Sequence, residues 1–213
     1  MSVALLMVGC GEGQNSEDSN DTENNASALT PPVAQPVKVP FVEKWDEWEA
    51  NPEIYGGPVV LAKIKEAKGS GATTLDLNNN QISDVTSLKE LTKLVSLELY
   101  SNQISNVTPL AGLTKLVSLN LYSNQISDLL PLAGLTKLES LTLGDNSITD
   151  VSPLAELTNL EELYLTGNQI SDISPLASLT KLRVLGLYGN PIPDDQKAML
   201  KKALPDCDIK IPD

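Results

Sequence analysis

From Leu75 onward, apolar and polar residues follow a pattern that returns every 22 residues without insertion or deletion. In the copy that starts at Leu97, the apolar positions are Leu97, Leu99, Ile104, Val107, Leu110, Leu113 and Leu116. The first two alternate with polar neighbours, which is typical of a half-buried β-strand. The later positions recur at three-residue steps, which suits 3₁₀ turns better than an α-helix. This period predicts a solenoid in which each coil contributes one strand and shares its core with its neighbours.

A proline and an asparagine also recur at fixed positions of the repeat. The prolines, each of which would interrupt a longer helix, are Pro109, Pro131, Pro153 and Pro175. The asparagines are Asn80, Asn102, Asn124, Asn146, Asn168 and Asn190. A buried amide needs hydrogen bonds at both ends, and stacked coils can supply backbone partners from two successive turns. The alternative is a line of metal ligands, but neutral amides bind cations weakly without carboxylates. No metal site and no cofactor are therefore predicted.

These residues resemble the leucine-rich repeats of the internalin type, whose 22-residue unit reads LxLxxNxIxDxxPLxxLxxLxx. The resemblance covers about residues 75–196. It implies an α/β solenoid, a right-handed horseshoe with a parallel β-sheet on the concave face. The convex side would carry 3₁₀ or irregular segments, and helical caps would close the ends. The function implied is a non-catalytic binding module, a monomer whose concave face takes another protein or a glycan.

Residues 41–74 are predicted to cap the first coil. They contain both tryptophans, Trp45 and Trp48, and the only phenylalanine of the chain. A terminal repeat lacks a neighbour on one side, so its open core has to be covered. The range 58–68 predicts a short helix, with Pro58 in its first turn and Gly69 at its end. Its apolar face comprises Val60, Leu61 and Ile64.

Residues 197–213 are predicted to form the carboxy-terminal cap. A helix is expected to start at Asp194 and continue through Leu204. Its expected apolar side comprises Ala198, Met199 and Ala203. Cys207, Ile209 and Ile211 alternate with polar residues and predict one more edge strand. Cys207 could instead be a reactive thiol, but Asp206 and Asp208 would raise its pKa and no histidine exists to activate it.

Residues 1–10 end in Met7-Val8-Gly9-Cys10, which resembles the lipobox of bacterial lipoproteins. Methionine stands where leucine is usual, and no positive charge precedes the apolar run. The resemblance implies cleavage before Cys10 and acylation of Cys10. Residues 11–40 predict a disordered acidic tether and then a proline-rich spacer. The repeats would thus be anchored by lipid at the bacterial envelope, at the outer membrane or cell surface. The alternative is a cytoplasmic regulator that binds and inhibits or recruits an enzyme.

Side chains that alternate with the strand leucines point away from the core and predict the binding surface. The predicted partner-binding residues are Asp76, Glu98, Tyr100, Tyr122, Asp145, Glu162, Tyr164 and Tyr188. Tyrosine is enriched in protein interfaces, and the carboxylates favour a partner with an apolar or basic patch. The alternative is that Tyr100 and Tyr122 only stack on each other in copied repeats.

A net charge of −13 and the absence of histidine narrow the functions further. The negative charge repels phosphate backbones, so no nucleic-acid partner is expected. Without histidine, the commonest general base and metal ligand are missing. A glycosidase alternative would pair Asp76 with Glu98, about 5 Å apart on neighbouring strands. An open sheet has no loops to exclude water from these carboxylates, so no catalytic residue is predicted.

Overall fold

The structure is a computed structural model that describes residues 45–211, with side chains described from residue 48 onward. Its helices are α1 (Trp45–Ala50), α2 (Pro58–Ser70) and α3 (Asp194–Ala203). Its strands are β1 (Thr74–Asp76), β2 (Ser96–Glu98), β3 (Ser118–Asn120), β4 (Ser140–Thr142), β5 (Glu162–Tyr164), β6 (Val184–Gly186) and β7 (Asp208–Lys210). The lipobox-like segment with Cys10 and the predicted tether lie outside the described residues. No helix among the described residues is long and apolar enough to cross a bilayer.

The strands form one parallel sheet in chain order, from β1 to β7. Leu97 lies opposite Leu75 on one side and Leu119 on the other, so equivalent residues of successive repeats are stacked. The backbone hydrogen bonds between neighbouring strands continue past the strand ends, where the Leu99 N–H donates to the Asn120 carbonyl at 2.8 Å. This arrangement confirms the predicted solenoid with one strand in each coil.

The returning side of each of the first five coils contains a 3₁₀ turn, as predicted. These turns span Thr86–Leu88, Thr108–Leu110, Leu130–Leu132, Ser152–Leu154 and Ser174–Ser178. Proline is the second residue of the last four, where its fixed φ suits the first turn and its missing N–H costs nothing. An Asp or Asn two residues before each turn accepts its first N–H, as Asp128 Oδ1 does from Leu130 at 2.8 Å. This role of the acidic position was not predicted from the sequence.

The core is one continuous column of aliphatic side chains that extends from α2 through the coils. The predicted apolar set of the second repeat is at most 1% exposed, namely Leu97, Leu99, Ile104, Val107, Leu110, Leu113 and Leu116. Because every coil buries the same set, each repeat is stabilised mainly by its neighbours.

At the amino-terminal end, α2 buries Val60, Leu61 and Ile64, the face predicted from the sequence. The helix extends beyond the predicted Gly69 to Ser70 and is capped by Gly71, whose φ of 65° is left-handed. The Ala72 N–H then bonds to the Ala67 carbonyl at 2.9 Å, which closes the last turn. Gly69 therefore lies inside the helix.

The link from this cap to the first coil is made by the 3₁₀ turn Pro52–Tyr55. The Ile54 carbonyl in this turn accepts the N–H groups of Ser83 and Asp84, at 2.8 and 3.0 Å. Trp48 and Tyr55 are both buried, with ring centroids 5.9 Å apart. Backbone hydrogen bonds and aromatic packing thus hold this end together.

At the carboxy-terminal end, α3 buries Leu200, and Leu204 just beyond it is also buried. The predicted apolar side was wrong in part, because Ala198 is exposed. Gln196 Oε1 accepts the Ile173 N–H at 3.2 Å, so positions 196, 200 and 204 face the last full coil at the four-residue spacing of a helix. After the helix, β7 pairs with β6, as the alternation around Ile209 predicted.

Candidate functional site

The exposed side of the β-sheet, which we call the sheet face, carries the residues predicted to bind a partner. In each coil it comprises the two residues that flank the buried strand leucine, together with the second and third residues after the strand. For β2 these are Ser96, Glu98, Tyr100 and Ser101. Neighbouring coils are about 4.8 Å apart, so equivalent side chains on this face are separated by about that distance. The face is therefore an open and regular surface.

The predicted residues lie on six adjacent coils, and we divide them between the fourth and fifth coils into two groups. The first group lies on the first four coils and comprises Asp76, Glu98, Tyr100, Tyr122 and Asp145. Asp76 and Glu98 are direct partners in the β1–β2 register. The second group comprises Glu162 and Tyr164 in β5 and Tyr188 after β6. Tyr188 is 50% exposed, and the structure describes no ring contact between Tyr164 and Tyr188.

Tyr100 and Tyr122 form a stacked pair, which we call the tyrosine platform. Their ring centroids are 5.6 Å apart, and the ring planes are inclined by 30°. Tyr100 is 38% exposed, so its ring combines a packed side with a side open to solvent. The stacking that the sequence analysis considered as an alternative to binding is therefore present. The stacking holds the exposed ring of Tyr100 in a defined position.

Tyr122 is held from the other side by the fourth coil. Its hydroxyl donates a hydrogen bond to Asp145 Oδ2. Its ring lies against Gly144, where a Cβ atom would come within 2.8 Å of the ring atoms Cδ2 and Cε2. The hydrogen bond to Asp145 is the main reason that the pKa of Tyr122 is raised above 10.0, with burial second. The phenol therefore stays a donor over a wider pH range than a free tyrosine.

Asp145 adopts a left-handed backbone conformation with φ of 49°. Asp tolerates this region better than most residues, and the equivalent Ser101 and Ser123 are also left-handed, both at 54°. Its carboxylate lies above Gly167, where an added Cβ atom would collide with it. Gly144 and Gly167 were not predicted from the sequence to shape this surface. The available signal was the change from Tyr-Ser in the two preceding copies to Gly-Asp at positions 144–145.

The carboxylates of the sheet face are fixed by neutral donors and not by cations. Asn120 Nδ2 donates to Glu98 Oε2 at 2.9 Å, and the Asn78 N–H donates to Asp76 Oδ1 at 2.9 Å. Among the described residues, no ion pair involves Asp76, Glu98, Asp145 or Glu162. The sheet face therefore carries uncompensated negative charge.

The recurring asparagines form a ladder of hydrogen bonds between coils. Asn102, which is 9% exposed, donates from Nδ2 to the Leu77 and Leu99 carbonyls at 3.0 and 2.9 Å. Its Oδ1 accepts the Ile82 N–H at 2.9 Å and the Asn80 N–H at 3.1 Å. Asn124, Asn146, Asn168 and Asn190 repeat the bonds to their own and the preceding coil. Asn80 has no preceding repeat, and among the described residues its side-chain amide bonds only to the Asn78 carbonyl, at 2.7 Å.

Other groups of chemical interest lie away from the sheet face. Cavities of about 220 and 300 Å³ lie at the amino-terminal cap and are lined by residues such as Pro58 and Glu53, respectively. The described residues contain no group of three or more Cys, Asp or Glu side chains arranged to hold a metal ion. Cys207 is half-buried, and burial raises the pKa of its thiol, with Asp208 as the second cause. Burial, more than the neighbouring acid, is thus the reason that the pKa of this thiol is raised.

Comparison with known proteins supports the repeat assignment. The family model described as leucine-rich repeats in two copies matches residues 73–112, 114–156 and 158–197. No curated protein matches the chain significantly. Among solved structures, internalin C2 of Listeria monocytogenes is 33% identical, with a TM-score of 0.57. The match covers 75% of this chain and 88% of internalin C2.

Two longer proteins of known structure are also similar. An internalin (inlF) of Listeria monocytogenes is 34% identical over 66% of this chain and 48% of its own, with a TM-score of 0.52. A leucine-rich-repeat protein of Leptospira interrogans is 28% identical over 67% of this chain and 45% of its own, with a TM-score of 0.56. The chain thus spans about half the length of these two proteins.

Proposed function

This chain belongs to the leucine-rich-repeat family, and we propose that it is a lipid-anchored adhesion or scaffolding module that binds another protein through its sheet face. The family generally provides non-catalytic scaffolds for protein interaction. The proposal goes beyond the family assignment in three respects: the surface used, the lipid anchor and the location at the bacterial envelope.

The observation that carries the proposal is the tyrosine platform on the open sheet face. Tyr100 presents ring surface to solvent and is already held by Tyr122, so little side-chain freedom remains to be lost on binding. Tyrosine offers apolar area together with a hydrogen-bonding hydroxyl, a combination enriched in protein interfaces. The backbone beneath is fixed by the sheet and by the asparagine ladder. A rigid surface of this kind suits recognition and gives no enclosed space for chemistry.

The anchor is proposed from the amino-terminal sequence alone. The lipobox-like residues Met7 to Cys10 are followed by the acidic and proline-rich residues 11–40. An acylated Cys10 followed by a long tether would hold the repeats at a distance from the membrane. Two acyl chains on one cysteine are enough for stable membrane attachment, because single chains bind only marginally.

The binding surface is tested by cross-linking the full chain to envelope proteins of its own cell and quantifying each captured protein. Tyr100→Ala with Tyr122→Ala is compared with a control, Leu130→Ser with Val59→Ser. The control removes two exposed apolar side chains outside the sheet face, which are 69% and 70% exposed. A partner lost only with the tyrosine variant supports the proposal. A partner retained by both variants refutes it.

A second variant separates binding from folding. Tyr188 is half exposed and forms no described ring contact, so Tyr188→Ser should leave the melting temperature within about 2 °C. If the Tyr100 and Tyr122 variant unfolds while Tyr188→Ser folds and still captures the partner, the tyrosine platform is structural and the proposed surface is wrong.

The anchor is tested by intact mass and detergent phase partitioning of the protein expressed from its native gene. A diacylglyceryl-sized mass increment that disappears in Cys10→Ala supports attachment at the envelope. An unmodified chain that retains Met1 and stays in the aqueous phase contradicts it. That result would favour an intracellular regulator that binds an enzyme.

A further inference from the structure

We infer that the sheet face recognises a basic segment of its partner protein, with an arginine or lysine side chain lying on the tyrosine platform between Glu98 and Asp145. The inference rests on the proposed function, because it names the chemistry of the partner for that same surface. Its elements are the exposed ring of Tyr100, the fixed ring of Tyr122 and two carboxylates that lack a cation.

Charge is the first argument. Glu98 Oε2 accepts from Asn120, and Asp145 Oδ2 accepts from the Tyr122 hydroxyl. The second oxygen of each carboxylate forms no hydrogen bond with the described residues. A charge-assisted bond from a partner cation would use this remaining capacity. Asp76 and Glu162 extend the same negative potential along the face, which attracts a basic partner and repels an acidic one.

The position of the rings is the second argument. Glu98 and Tyr100 are two residues apart on one coil, so both side chains emerge on the sheet face, about 7 Å apart along the strand direction. A guanidinium or ammonium group above an aromatic ring is attracted by the negative face of the ring. An arginine can also stack on the ring while its N–H groups reach a carboxylate beside it. Tyr100 offers such a ring next to Glu98.

The fourth coil gives the third argument. Gly144 leaves room for the Tyr122 ring, and Gly167 leaves room for the Asp145 carboxylate. Asp145 replaces the serines that stand at this position in the two preceding copies, Ser101 and Ser123. The replacement places a carboxylate beside the tyrosine platform and bonds it to Tyr122. The second, third and fourth coils thus form what we call the cation seat, in which the rings of Tyr100 and Tyr122 lie beneath the cation and the carboxylates of Glu98 and Asp145 lie beside it.

A neutral glycan fits these features less well than a basic segment does. Aromatic rings can stack on sugars, but a sugar would leave the carboxylates uncompensated. The same carboxylates would also lose water when a neutral ligand covered them. A cation would neutralise the carboxylates at the same place where binding removes their water.

The test uses a fluorescein-labelled ten-residue probe peptide, in which four arginines are separated by Gly-Ser pairs. Binding to the full chain is followed by fluorescence anisotropy at about 0.15 M salt, where the field of distant charges is largely screened. Tyr100→Ala is expected to weaken binding about fivefold. Glu98→Gln with Asp145→Asn is expected to weaken it about tenfold or more.

The matched control is Glu139→Gln with Glu156→Gln. It removes the same charge from two exposed residues outside the sheet face that have no described hydrogen bond through their carboxylates. Little loss of affinity in this control, under about twofold, supports the cation seat. An equal loss in both double variants, or no loss in Tyr100→Ala, overturns it, because the peptide would then respond only to overall acidity.

Two further outcomes keep the inference separate from the proposed function. If chitohexaose binds in a Tyr100-dependent manner and the arginine peptide does not bind, the inference is wrong and the ligand is a glycan. If the cross-linked partner is lost with the tyrosine variant but kept with Glu98→Gln and Asp145→Asn, the sheet face still binds a protein. In that case the proposed function stands and the cation seat does not.

Discussion

Replacing Asn102 by alanine is expected to lower the free energy of unfolding by about 3–5 kcal/mol. The variant removes an amide that donates to the Leu77 and Leu99 carbonyls and accepts the Ile82 N–H, all of them buried bonds. Each buried polar group left without a partner costs about 1–3 kcal/mol. The lower part of the summed range is expected, because the small space left by the side chain can admit water.

The first asparagine of the ladder is the matched control. Among the described residues, the side-chain amide of Asn80 donates only to the Asn78 carbonyl, and it lies at a part-buried position. Since the Asn80 side chain has no preceding repeat to bond to, Asn80→Ala should lower the free energy of unfolding by about 1 kcal/mol or less. The difference between the two variants therefore measures the bonds between coils and not the intrinsic preference of asparagine for a turn.

The assay is urea unfolding of both variants and the wild type, followed by tryptophan fluorescence and by far-ultraviolet circular dichroism. The two signals report different regions, since both tryptophans lie before the repeats. Coincident transitions allow one free energy to be assigned, whereas a repeat array can also unfold in parts. Equal losses for Asn80→Ala and Asn102→Ala would refute the reasoning, as would a loss below about 1 kcal/mol for Asn102→Ala.

Three further predictions concern single residues. Gly144→Ala should destabilise the fold by about 1–3 kcal/mol, because the new methyl would lie 2.8 Å from the Tyr122 ring. The same substitution should cost less free energy of unfolding in a Tyr122→Ala background. Additive losses in the double variant would contradict this explanation. The pKa of Tyr122 is raised by its bond to Asp145, so its contribution to stability is present below about pH 10 and lost as the pH rises through the higher folded-state pKa. Urea unfolding of wild type and Tyr122→Phe should therefore converge at high pH, and a constant difference would show that the bond does not titrate. Leu130→Ser, at a 69% exposed position, should change the free energy of unfolding by less than about 0.5 kcal/mol in the same urea assay, and a larger loss would reveal a hidden contact.

The fold could be predicted because one short pattern encodes it repeatedly. Leu97 and Leu99 define the strand, and the three-residue steps from Ile104 onward define the returning side. Every copy shows the same pattern, so a misleading residue in one copy does not change the prediction that the other copies support. The ends were harder, since they occur once. The position of Gly71 at the end of α2 and the exposure of Ala198 in α3 depend on contacts that no repeat reveals.

The sheet face was predictable in position but not in contact. Alternation places Tyr100 and Tyr122 on the same side, and the 22-residue offset places them on neighbouring coils. The direction in which Tyr122 leans follows from Gly144 on the next coil, which only the three-dimensional arrangement relates to it. The bond to Asp145 likewise depends on a left-handed residue whose side chain points back along the array.

The differences between copies are therefore more informative about binding than the repeat itself. Residues that set the coil and residues that form the sheet face occupy separate positions, so a face residue can change without loss of a core contact. The second and third copies are alike on the face, with Tyr100-Ser101 and Tyr122-Ser123. The fourth copy keeps the core pattern and changes the face to Gly144 and Asp145. That change alters no buried leucine, yet it fixes one ring and places a carboxylate beside it. The proposed cation seat therefore lies at the coil where the face residues of the two preceding copies are replaced.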